Sequence, residues 1–518
     1  MNIGLDLACF RKARTPLARG IALACVLGFG GCAVGPNFTR PTPPPASRYT
    51  ADAVRVDEAS MGANAQHIAL GQEIEGDWWT LFRSDAIDEL VKQAVARNRN
   101  LTAAAATLKQ AQELAFAQGG SQYPQVSLTG GAGRQQYGYE FLGGLGKIPP
   151  FTYFAVGPTV SYMLDYTGGV ARGVEQQYAL AEVERHRLDA AYLAVTGQAV
   201  MQGLAIASAR AQIATIETIL AQDRDNLKLV QTAYENGSVA LEDVVSARSQ
   251  IANDMTLLPP LRQELAKAHH ALSVVLGRAP AGKLPEDVDL SQITLPLEVP
   301  VSLPSELAHR RPDILAAEAQ LHAATSAVGV AQSNLYPKIQ LSASVGQQAL
   351  KTDQLFDRTS TAWSLISGMT APLFDGGTLR AEKRAAVDAM HASAAAYEQT
   401  VLEAFAQVAD LLEGLNHDAE QLEAQDQAQR AAQSSLDLAR TSYKEGNVGV
   451  LQVLDAERSY QQARLGYVRA VAQRYLDTVQ LFLALGGTSP SASLAANAQP
   501  TVISRDPARP PKDRQNVF

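Results

Sequence analysis

Apolar residues recur along most of this chain at the spacing of a helix, and in four short stretches they alternate with polar residues as in a strand. Two very long helical patterns are each followed by a shorter, returning one. These patterns cover residues 169–236, 241–277, 377–445 and 450–485. The first carries apolar residues at spacings of three and four, as in Ile213, Ile216 and Leu220. At 1.5 Å per residue, such a pattern predicts a rod of roughly 100 Å.

The strand patterns pair into two hairpins, at about residues 125–165 and 338–374. In the first hairpin Val126 and Leu128 lie on either side of the polar Ser127, and the second hairpin follows the same period of two. Each hairpin is therefore predicted to have one apolar and one polar face.

The order of these elements repeats along the chain. The segment from Tyr234 to Val239 recurs 209 residues later, from Tyr443 to Val448. The pair Gly168-Gly169 likewise corresponds to Gly376-Gly377. Duplication is the most economical explanation, so we predict two copies of one structural unit.

The N-terminus resembles an export signal. Four basic residues precede an apolar run from Ile21 to Phe29, which is too short to span a bilayer. The run ends at Gly30-Gly31-Cys32, which resembles a bacterial lipobox, although Phe29 stands where Leu, Val or Ile is usual. We therefore predict that Cys32 carries an N-palmitoyl and an S-diacylglycerol group. Ordinary cleavage near Ala33 is the alternative.

These signals divide the chain into six predicted parts, and Pro259-Pro260 is expected to interrupt the first returning helix. The parts are a signal peptide (1–31), a lipidated N-terminus and extended linker (32–80), a first structural repeat (81–277), an inter-repeat equatorial segment (278–311), a second structural repeat (312–486) and a disordered tail (487–518).

Composition narrows the class of protein. Hydrophobic residues make up 46% of the 518, charged residues 19%, and the net charge is −8. This balance excludes wholesale disorder and a polytopic helical membrane protein, and the acidity gives no basic patch for nucleic acid. Ala190 to Ala209 is uncharged, but Thr196, Gln198 and Gln202 make a membrane-spanning helix a poor interpretation.

Without a spanning helix, a closed β-barrel is the other structure that satisfies its backbone in lipid. Four strands cannot close one, since membrane barrels start at about eight strands. Two copies of the chain would supply eight strands, whose interior side chains fill, whereas three copies would supply twelve and leave a lumen. We therefore predict a trimer with an open bore. A soluble helical rod capped by a small sheet is the alternative.

Several short motifs appear in an order that resembles one known family. They are Cys32 to Phe38 with Pro41, Arg311-Pro312-Asp313-Ile314 with Ala317-Glu318, Leu335-Tyr336-Pro337, Phe374-Asp375-Gly376-Gly377, and Tyr443 to Arg458. Over about Cys32–Gly487 the chain resembles the TolC family of outer-membrane channels, and within it the NodT-like efflux lipoproteins. The resemblance implies a mixed fold, all-α plus β-barrel. Three chains would share a 12-stranded outer-membrane β-barrel, four strands each, continued by a long periplasmic α-helical barrel.

The resemblance also implies a periplasmic gate. Carried over by position, Leu451 would form an apolar constriction, Asp455 a ring of carboxylates, and Arg458 and Tyr443 polar links between neighbouring helices. Three Asp455 side chains around one axis would repel one another and favour cations at the mouth. Ser246 occupies the equivalent place in the first copy, so only one copy supplies this charge. An ordinary solvated aspartate is the alternative.

The turns that follow the two long helices are, by the same resemblance, the contacts for a periplasmic adaptor. Their residues are Gly237, Ser238, Val239, Gly446, Asn447 and Val448. Simple turn chemistry is the alternative interpretation. The other implied partners are an inner-membrane RND transporter, further copies of the chain in a homotrimer, and outer-membrane lipid.

Catalytic motifs are absent from the sequence. Gly144-Leu145-Gly146-Lys147 lacks the first glycine of a phosphate loop, and the adjacent His269 and His270 cannot converge on one metal ion. We predict no enzyme, no metal site and no cofactor beyond the lipid on Cys32. The expected function is the outer-membrane channel of a tripartite RND-type efflux pump, which passively exports drugs, toxic compounds or metal ions from the periplasm of a bacterium. A type I secretion duct and a non-pore, periplasm-spanning structural lipoprotein are the alternatives.

Overall fold

A computed structural model describes residues 33–46, 48–50, 66–72, 74, 76–137, 149–282, 285 and 288–487. The predicted signal peptide, Cys32, the Gly144–Lys147 loop and the tail from residue 488 onward lie outside the described residues. What the sequence predicts for them stays a prediction.

The described residues form six strands and nine α-helices. The strands are β1 (His67–Leu70), β2 (Gln125–Gln135), β3 (Phe151–Leu164), β4 (Glu298–Val301), β5 (Lys338–Ala349) and β6 (Thr361–Thr370). The helices are α1 (Asp85–Arg97), α2 (Arg99–Gly119), α3 (Gly169–Glu235), α4 (Leu241–Met255), α5 (Leu258–Val275), α6 (Pro304–Leu307), α7 (Pro312–Ser333), α8 (Thr378–Lys444) and α9 (Val450–Ala484).

The chain divides into two compact units, of which the first contains the large sheet. This unit comprises Met1–Pro41, Lys109–Val183 and Ala317–Tyr397. Its antiparallel strands lie in the order β2-β3-β5-β6, and each alternates apolar and polar side chains between the two faces. Two adjacent cross-strand rows illustrate the faces. The apolar row is Val126, Val160, Ala343 and Leu365, and the polar row beside it is Ser127, Thr159, Ser344 and Ser364.

Two glycines permit a very close approach between β3 and β5. A Cβ atom on Gly157 would overlap the carbonyl oxygen of Val345, and one on Gly346 would lie 2.6 Å from the carbonyl oxygen of Val156. Pro158, which has no N–H to donate, follows Gly157 within β3. Glycine is therefore required at both positions for the two backbones to meet.

Residues 33–41 also belong to the first unit and pack on its helices. Phe38 stacks on the imidazole of His322 with ring centroids 4.4 Å apart. The guanidinium of Arg40 donates from Nε to both carboxylate oxygens of Glu318, at 2.8 and 2.9 Å. The segment of residues 33–41 is thus held against α7 by an aromatic stack and an ion pair.

The second unit comprises Thr42–Leu108, Glu184–Ala316 and Glu398–Phe518, and its core is partly aromatic. Trp78 and Phe82 are buried against Phe482, and the Trp78 and Phe482 rings lie 5.9 Å apart. The short strands β1 and β4 pair in parallel in the same unit. The segment predicted to be an extended linker therefore contains a strand and an aromatic core contact, which its sequence pattern did not indicate.

The two long helices each contain 67 residues, which corresponds to about 100 Å. The second returning helix, α9, is continuous over 35 residues. The first is divided at Thr256-Leu257 into α4 and α5. Pro259 lies in the first turn of α5, where its missing N–H leaves no helical hydrogen bond unmade. The break therefore precedes the proline pair instead of falling on it.

Of the described helices, α3 alone is long and apolar enough, by length and composition, to cross a membrane. Half of its most apolar window, whose mean hydropathy is 1.3, is buried inside the protein. Within this stretch Val195 and Val200 are buried, and a Cβ atom on Gly197 would meet the side chain of Leu483 from α9. These contacts are those of a packed helix in the protein interior.

Candidate functional site

Among the described residues, nothing covers the apolar face of the four-stranded sheet. No residue of β2, β3, β5 or β6 is buried, and Trp363 and Leu365 are 77% and 75% exposed. An ordinary sheet buries its apolar face on a hydrophobic core. These strands have 10 to 14 residues, and a tilted strand needs about 9 to 11 to cross the hydrocarbon region. The apolar face is therefore suited to contact lipid.

The opposite face carries hydroxyl groups that suit water. Ser344 Oγ and Ser364 Oγ lie 2.8 Å apart, and Thr129 Oγ1 and Thr159 Oγ1 lie 3.4 Å apart, in each case within hydrogen-bonding distance across neighbouring strands. A sheet with lipid on one face and water on the other has the chemistry of a pore wall.

The sheet also has two open edges. Strands β2 and β6 each pair on one side only within the described residues, and they have 11 and 10 residues. Long unpaired edges present free backbone N–H and C=O groups, which cannot be left unsatisfied in lipid. Within the described residues, one chain therefore supplies an incomplete section of wall.

Three of the four predicted gate residues lie on one exposed face of α9. The Arg458 guanidinium donates to Asp455 Oδ1 at 2.8 Å, and the two side chains are 54% and 68% exposed. Leu451, one turn before Asp455, is also exposed. The geometry brings a cation, an anion and an apolar side chain into one column along the helix.

The fourth predicted gate residue, Tyr443, lies in a different setting. It packs with Leu227 and Val239 against a buried cluster that includes Val230 and Val244. The ring contributes to the apolar contacts that hold the end of α8 near the turn after α3. Its position therefore differs from the exposed column on α9.

The two turns predicted to meet an adaptor have the same backbone geometry. Gly237 and Gly446 adopt φ angles of 71° and 77°, in the left-handed region that favours glycine. The amides of the next residues, Ser238 and Asn447, each donate at 2.8 Å to a carbonyl of the preceding helix. Both turns are exposed. Val239 and Val448, which follow, are half-buried.

Sequence reasoning missed a buried carboxylate on the same helix as the exposed column of Leu451, Asp455 and Arg458. Glu457 is 1% exposed, and it accepts hydrogen bonds from Arg440 Nη2 at 3.1 Å and from Asn226 Nδ2. The signal was present in the spacing, since Glu457 stands in the apolar seam of α9 between the buried Val453 and Leu465. A charged residue at a seam position indicates a paired internal charge.

A second buried acid, Asp223, interrupts the seam of α3. Gln461 Nε2 donates to its Oδ1 at 3.1 Å, and the carboxyl group of Asp254 on α4 lies within hydrogen-bonding distance. Burial, together with this neighbouring carboxyl, raises the pKa of Asp223 to about 7. Burial beside a second carboxyl group therefore favours the protonated form of Asp223 up to about pH 7.

A similar pair joins α8 to α9. Burial and the adjacent carboxyl of Asp477 raise the pKa of Asp418 to about 7, while the nearby charge of Arg474 opposes that rise. Arg474 is itself buried and donates from Nε to Gln66 Oε1 at 3.0 Å. Although acids gather here, no group of three or more His, Cys, Asp or Glu among the described residues is arranged to hold a metal ion.

Comparisons with known proteins find relatives over most of the chain. The pyoverdine export outer membrane protein OpmQ of Pseudomonas putida is 31% identical over 420 residues, which cover 79% of this chain and 87% of OpmQ. The probable outer membrane lipoprotein SilC of Salmonella typhimurium is 26% identical over 473 residues, which cover 90% of this chain and 98% of SilC.

Solved structures and the family comparison agree. The structure of the outer-membrane channel OprN superimposes with a TM-score of 0.78 and 27% identity over 88% of this chain and 99% of the OprN chain. This likeness confirms the predicted TolC-like fold. The outer membrane efflux protein family matches residues 90–278 and 303–487, and each segment contains one hairpin, one long helix and its returning helices. This chain is therefore a member of the outer membrane efflux protein family.

Proposed function

We propose that this chain forms the outer-membrane channel of a tripartite RND-type efflux pump, through which solutes leave the periplasm passively. The observation that carries the proposal is the sheet with one exposed apolar face, one hydroxyl-lined face and two open edges. In a pore wall, the apolar face of such a sheet contacts lipid, its polar face contacts water, and the N–H and C=O groups of its edges pair with further strands. The chain acts without catalysis, because a passive channel only provides a route.

The active assembly is a homotrimer. The edge strand β6 of one copy pairs with β2 of the next, so that every edge is satisfied. Twelve strands then close a barrel wide enough to leave a lumen, whereas eight would give an interior that side chains fill. The long helices α3 and α8 of the three copies continue the duct into the periplasm.

The periplasmic end of the duct is closed at rest by the column on α9. Leu451 narrows the opening, and Asp455 with Arg458 holds neighbouring helices together by polar contacts. Tyr443 supports the same region from α8. Because both charged side chains are more than half exposed on one chain, each is available to a neighbouring copy.

The N-terminus anchors the channel to lipid. Cys32, cleaved and acylated, would stand one residue before Ala33, and residues 33–41 pack on the first unit, which contains the sheet. SilC, a relative over 90% of this chain, is named a probable outer membrane lipoprotein. The lipid therefore enters the same membrane as the strands.

The chain works with two kinds of partner. The exposed turns around Gly237 and Gly446 receive the hairpins of a periplasmic adaptor, and the adaptor links the channel to an inner-membrane transporter. The two family segments support a division into structural repeats at residues 81–277 and 312–486. The cargo belongs to the wider class of drugs, toxic compounds and metal ions, because the transporter selects it.

The decisive experiment is single-channel recording of the purified protein in planar bilayers. We expect discrete conductance from the wild type and a larger closed-state conductance from the Asp455→Ala/Arg458→Ala double variant. The matched control is Asp426→Ala/Arg430→Ala, which removes another ion pair, at 2.6 Å on α8, whose side chains are 25% and 79% exposed. It should leave the conductance unchanged. A wild type that never conducts would favour the non-pore structural lipoprotein.

A further inference from the structure

A cavity of about 540 Å³ lies in the first unit at the point where the sheet gives way to helices. Tyr336, which closely precedes β5, lines it together with Leu373 and Phe374, which follow β6. Arg380 and Lys383, in the first two turns of α8, complete its charged side. The cavity therefore joins an apolar wall to two cations at the helical end of the strands.

The corresponding place in the first half of the chain is neutral and covered. The repeat pairs Arg172 with Arg380 and Glu175 with Lys383, because Gly168-Gly169 corresponds to Gly376-Gly377. The guanidinium of Arg172 donates to Glu175 Oε2 at 2.6 Å and to Asn37 Oδ1 of the N-terminal segment.

In the second half of the chain, a lysine stands at the position that corresponds to the carboxylate of Glu175. Lys383 replaces Glu175, so the neutral pair becomes a pair of positive charges that line a cavity. Asp375 is the one carboxylate among the residues that line it. Its oxygens accept hydrogen bonds from the amides of Gly377 and Leu379 at 2.8 and 2.9 Å. Its charge is engaged mainly by the start of α8 and also attracts Arg380, so the two cations outnumber the one carboxylate and the lining keeps a positive charge for an outside anion.

The apolar side of the cavity is equally distinctive. Within a single chain, before any contact with a neighbouring copy, Leu373 and Phe374 are 98% and 94% exposed, which is unusual for two consecutive large apolar side chains. They lie three and four residues after the end of β6, at the level where the strands leave the membrane in the proposed arrangement. Tyr336, also partly exposed, suits the interface between hydrocarbon and water.

We propose that this cavity binds one anionic phospholipid of the periplasmic leaflet, with its phosphate on Arg380 and Lys383 and an acyl chain against Leu373 and Phe374. The inference rests on the proposed placement of the sheet in the outer membrane. Cations beside an apolar surface at the membrane interface match the two chemical halves of such a lipid. A zwitterionic phospholipid has the same chains without the net negative charge and should bind more weakly.

Native mass spectrometry of the full-length protein with added dioleoyl phosphatidylglycerol tests the charged half. We expect Arg380→Gln/Lys383→Gln to weaken binding at least tenfold, with little change for dioleoyl phosphatidylcholine. The matched control is Lys338→Gln/Arg384→Gln, which removes two charges at the same level from residues that do not line the cavity. It should change binding less than twofold. Equal losses in both variants, or no loss in either, would overturn the proposal.

The apolar half is tested with Leu373→Ser/Phe374→Ser. We expect this variant to lose phosphatidylglycerol binding, and glycerol phosphate, which has no acyl chains, to compete poorly with the lipid for the wild type. If glycerol phosphate binds as tightly as the lipid, the cavity is a free-anion site and the lipid proposal is wrong. If the variant loses its oligomeric state but keeps lipid binding, the surface is a contact between copies and the proposal is also wrong.

Conductance in bilayers of phosphatidylcholine alone separates this inference from the proposed function. A conducting wild type whose lipid binding is the same as that of the cavity variant would overturn the lipid site and leave the channel. A wild type that does not conduct but shows the expected loss in the cavity variant would overturn the channel and leave the site.

Discussion

At the residue scale, the acids on α9 differ sharply in their surroundings. Glu457 is buried and held by Arg440 and Asn226, whereas Asp455, two residues earlier, is exposed with its partner Arg458. A buried charge that loses its partner is costly because water cannot replace the lost contact. An exposed ion pair contributes little because water competes for both charges.

Substitution of Glu457 should therefore affect mainly the stability of the fold, whereas substitution of Asp455 should affect mainly conductance. We expect Glu457→Ala to lower the free energy of unfolding by about 2 kcal/mol, since it leaves the Asn226 amide without its acceptor and the partly exposed Arg440 without its carboxylate. Asp455→Ala should change it by less than about 1 kcal/mol, while altering conductance. Thermal unfolding followed by helical circular dichroism in detergent measures the first effect. Equal destabilisation by both variants would contradict this assignment of structural and functional acids.

The carboxyl pair of Asp223 and Asp254 predicts a pH dependence of stability. The pKa of Asp223 is about 7 in the folded chain and 3.8 for the unperturbed group. Between these values the folded state holds a proton that the unfolded state has released, so stability falls as the pH rises from about 4 to 7. At 1.36 kcal/mol per pKa unit, the loss has an upper bound of roughly 4 kcal/mol.

Asp223→Asn should remove the share of this dependence that Asp223 contributes, because an amide keeps the hydrogen bonds and has no carboxyl proton to lose, whereas Asp418 retains its own share. We expect the wild type to melt at a lower temperature at pH 8 than at pH 5, and the variant to melt at more similar temperatures. Asp254→Asn is the reciprocal variant and should act in the same direction. The same change of melting temperature with pH in the wild type and both variants would contradict a protonated Asp223 in the folded chain.

At the element scale, the β3–β5 contact depends on two residues that have no side chain. A methyl group at Gly157 would overlap the backbone at Val345, and the strands would have to separate. Gly131 on β2 is a matched control, because a Cβ atom there meets nothing within 4 Å.

We expect Gly157→Ala to reduce the fraction of protein that enters the membrane in folded form several-fold, and Gly131→Ala to leave it unchanged. The physical reason is steric, since only the first substitution forces two paired backbones apart. Protease resistance of membrane-inserted protein measures the folded fraction. Similar yields from both variants would show that the sheet adjusts around the close approach.

The helices and strands that could be predicted from sequence are those in which apolar residues recur regularly over many positions. The two-residue alternation of β2 and β5 and the long seams of α3 and α8 extend over many residues, so each pattern is averaged over several turns or pleats. Strands β1 and β4 have four residues each and come from segments more than 200 residues apart. No local pattern can specify such a pair, because its stability comes from tertiary contacts.

Part of the candidate site could also be named from the sequence, and part of it could not. The family resemblance implied a ring of Asp455 carboxylates and links from Arg458 and Tyr443 to neighbouring helices, and this gate stays a prediction. Within one chain, Arg458 pairs with Asp455 on the same helix, and Tyr443 lies in an apolar cluster. Glu457 and Asp223 were missed as a site because a single acid in a heptad pattern does not show which partner it meets. That partner lies on another helix, and its identity requires the packed structure.

At the scale of the whole molecule, the open sheet edges predict how copies combine. Ser127 on β2 and Ser364 on β6 lie in the same polar row at opposite edges of one sheet, three strand spacings of about 4.8 Å apart. If each copy closes onto the next, β6 of one copy lies beside β2 of the next, with the two serines displaced along the strands by the stagger that barrel closure requires. The three cysteines of the chain are at positions 9, 25 and 32, so cysteines introduced into the sheet would be unique there.

We expect the Ser127→Cys/Ser364→Cys variant, treated in membranes with a flexible bis-maleimide long enough to bridge this stagger, to give covalent dimers and trimers on denaturing gels and nothing larger. A ring of three has only three junctions, so the ladder must end at the trimer. Either single-cysteine variant should remain largely monomeric, because its thiols lie on one edge of each sheet only. A ladder that continued beyond three would mean that the edges join in an open array, which cannot enclose a pore. A product linked only within one chain would mean that the sheet curls onto itself, and with too few strands to leave a lumen it could not conduct.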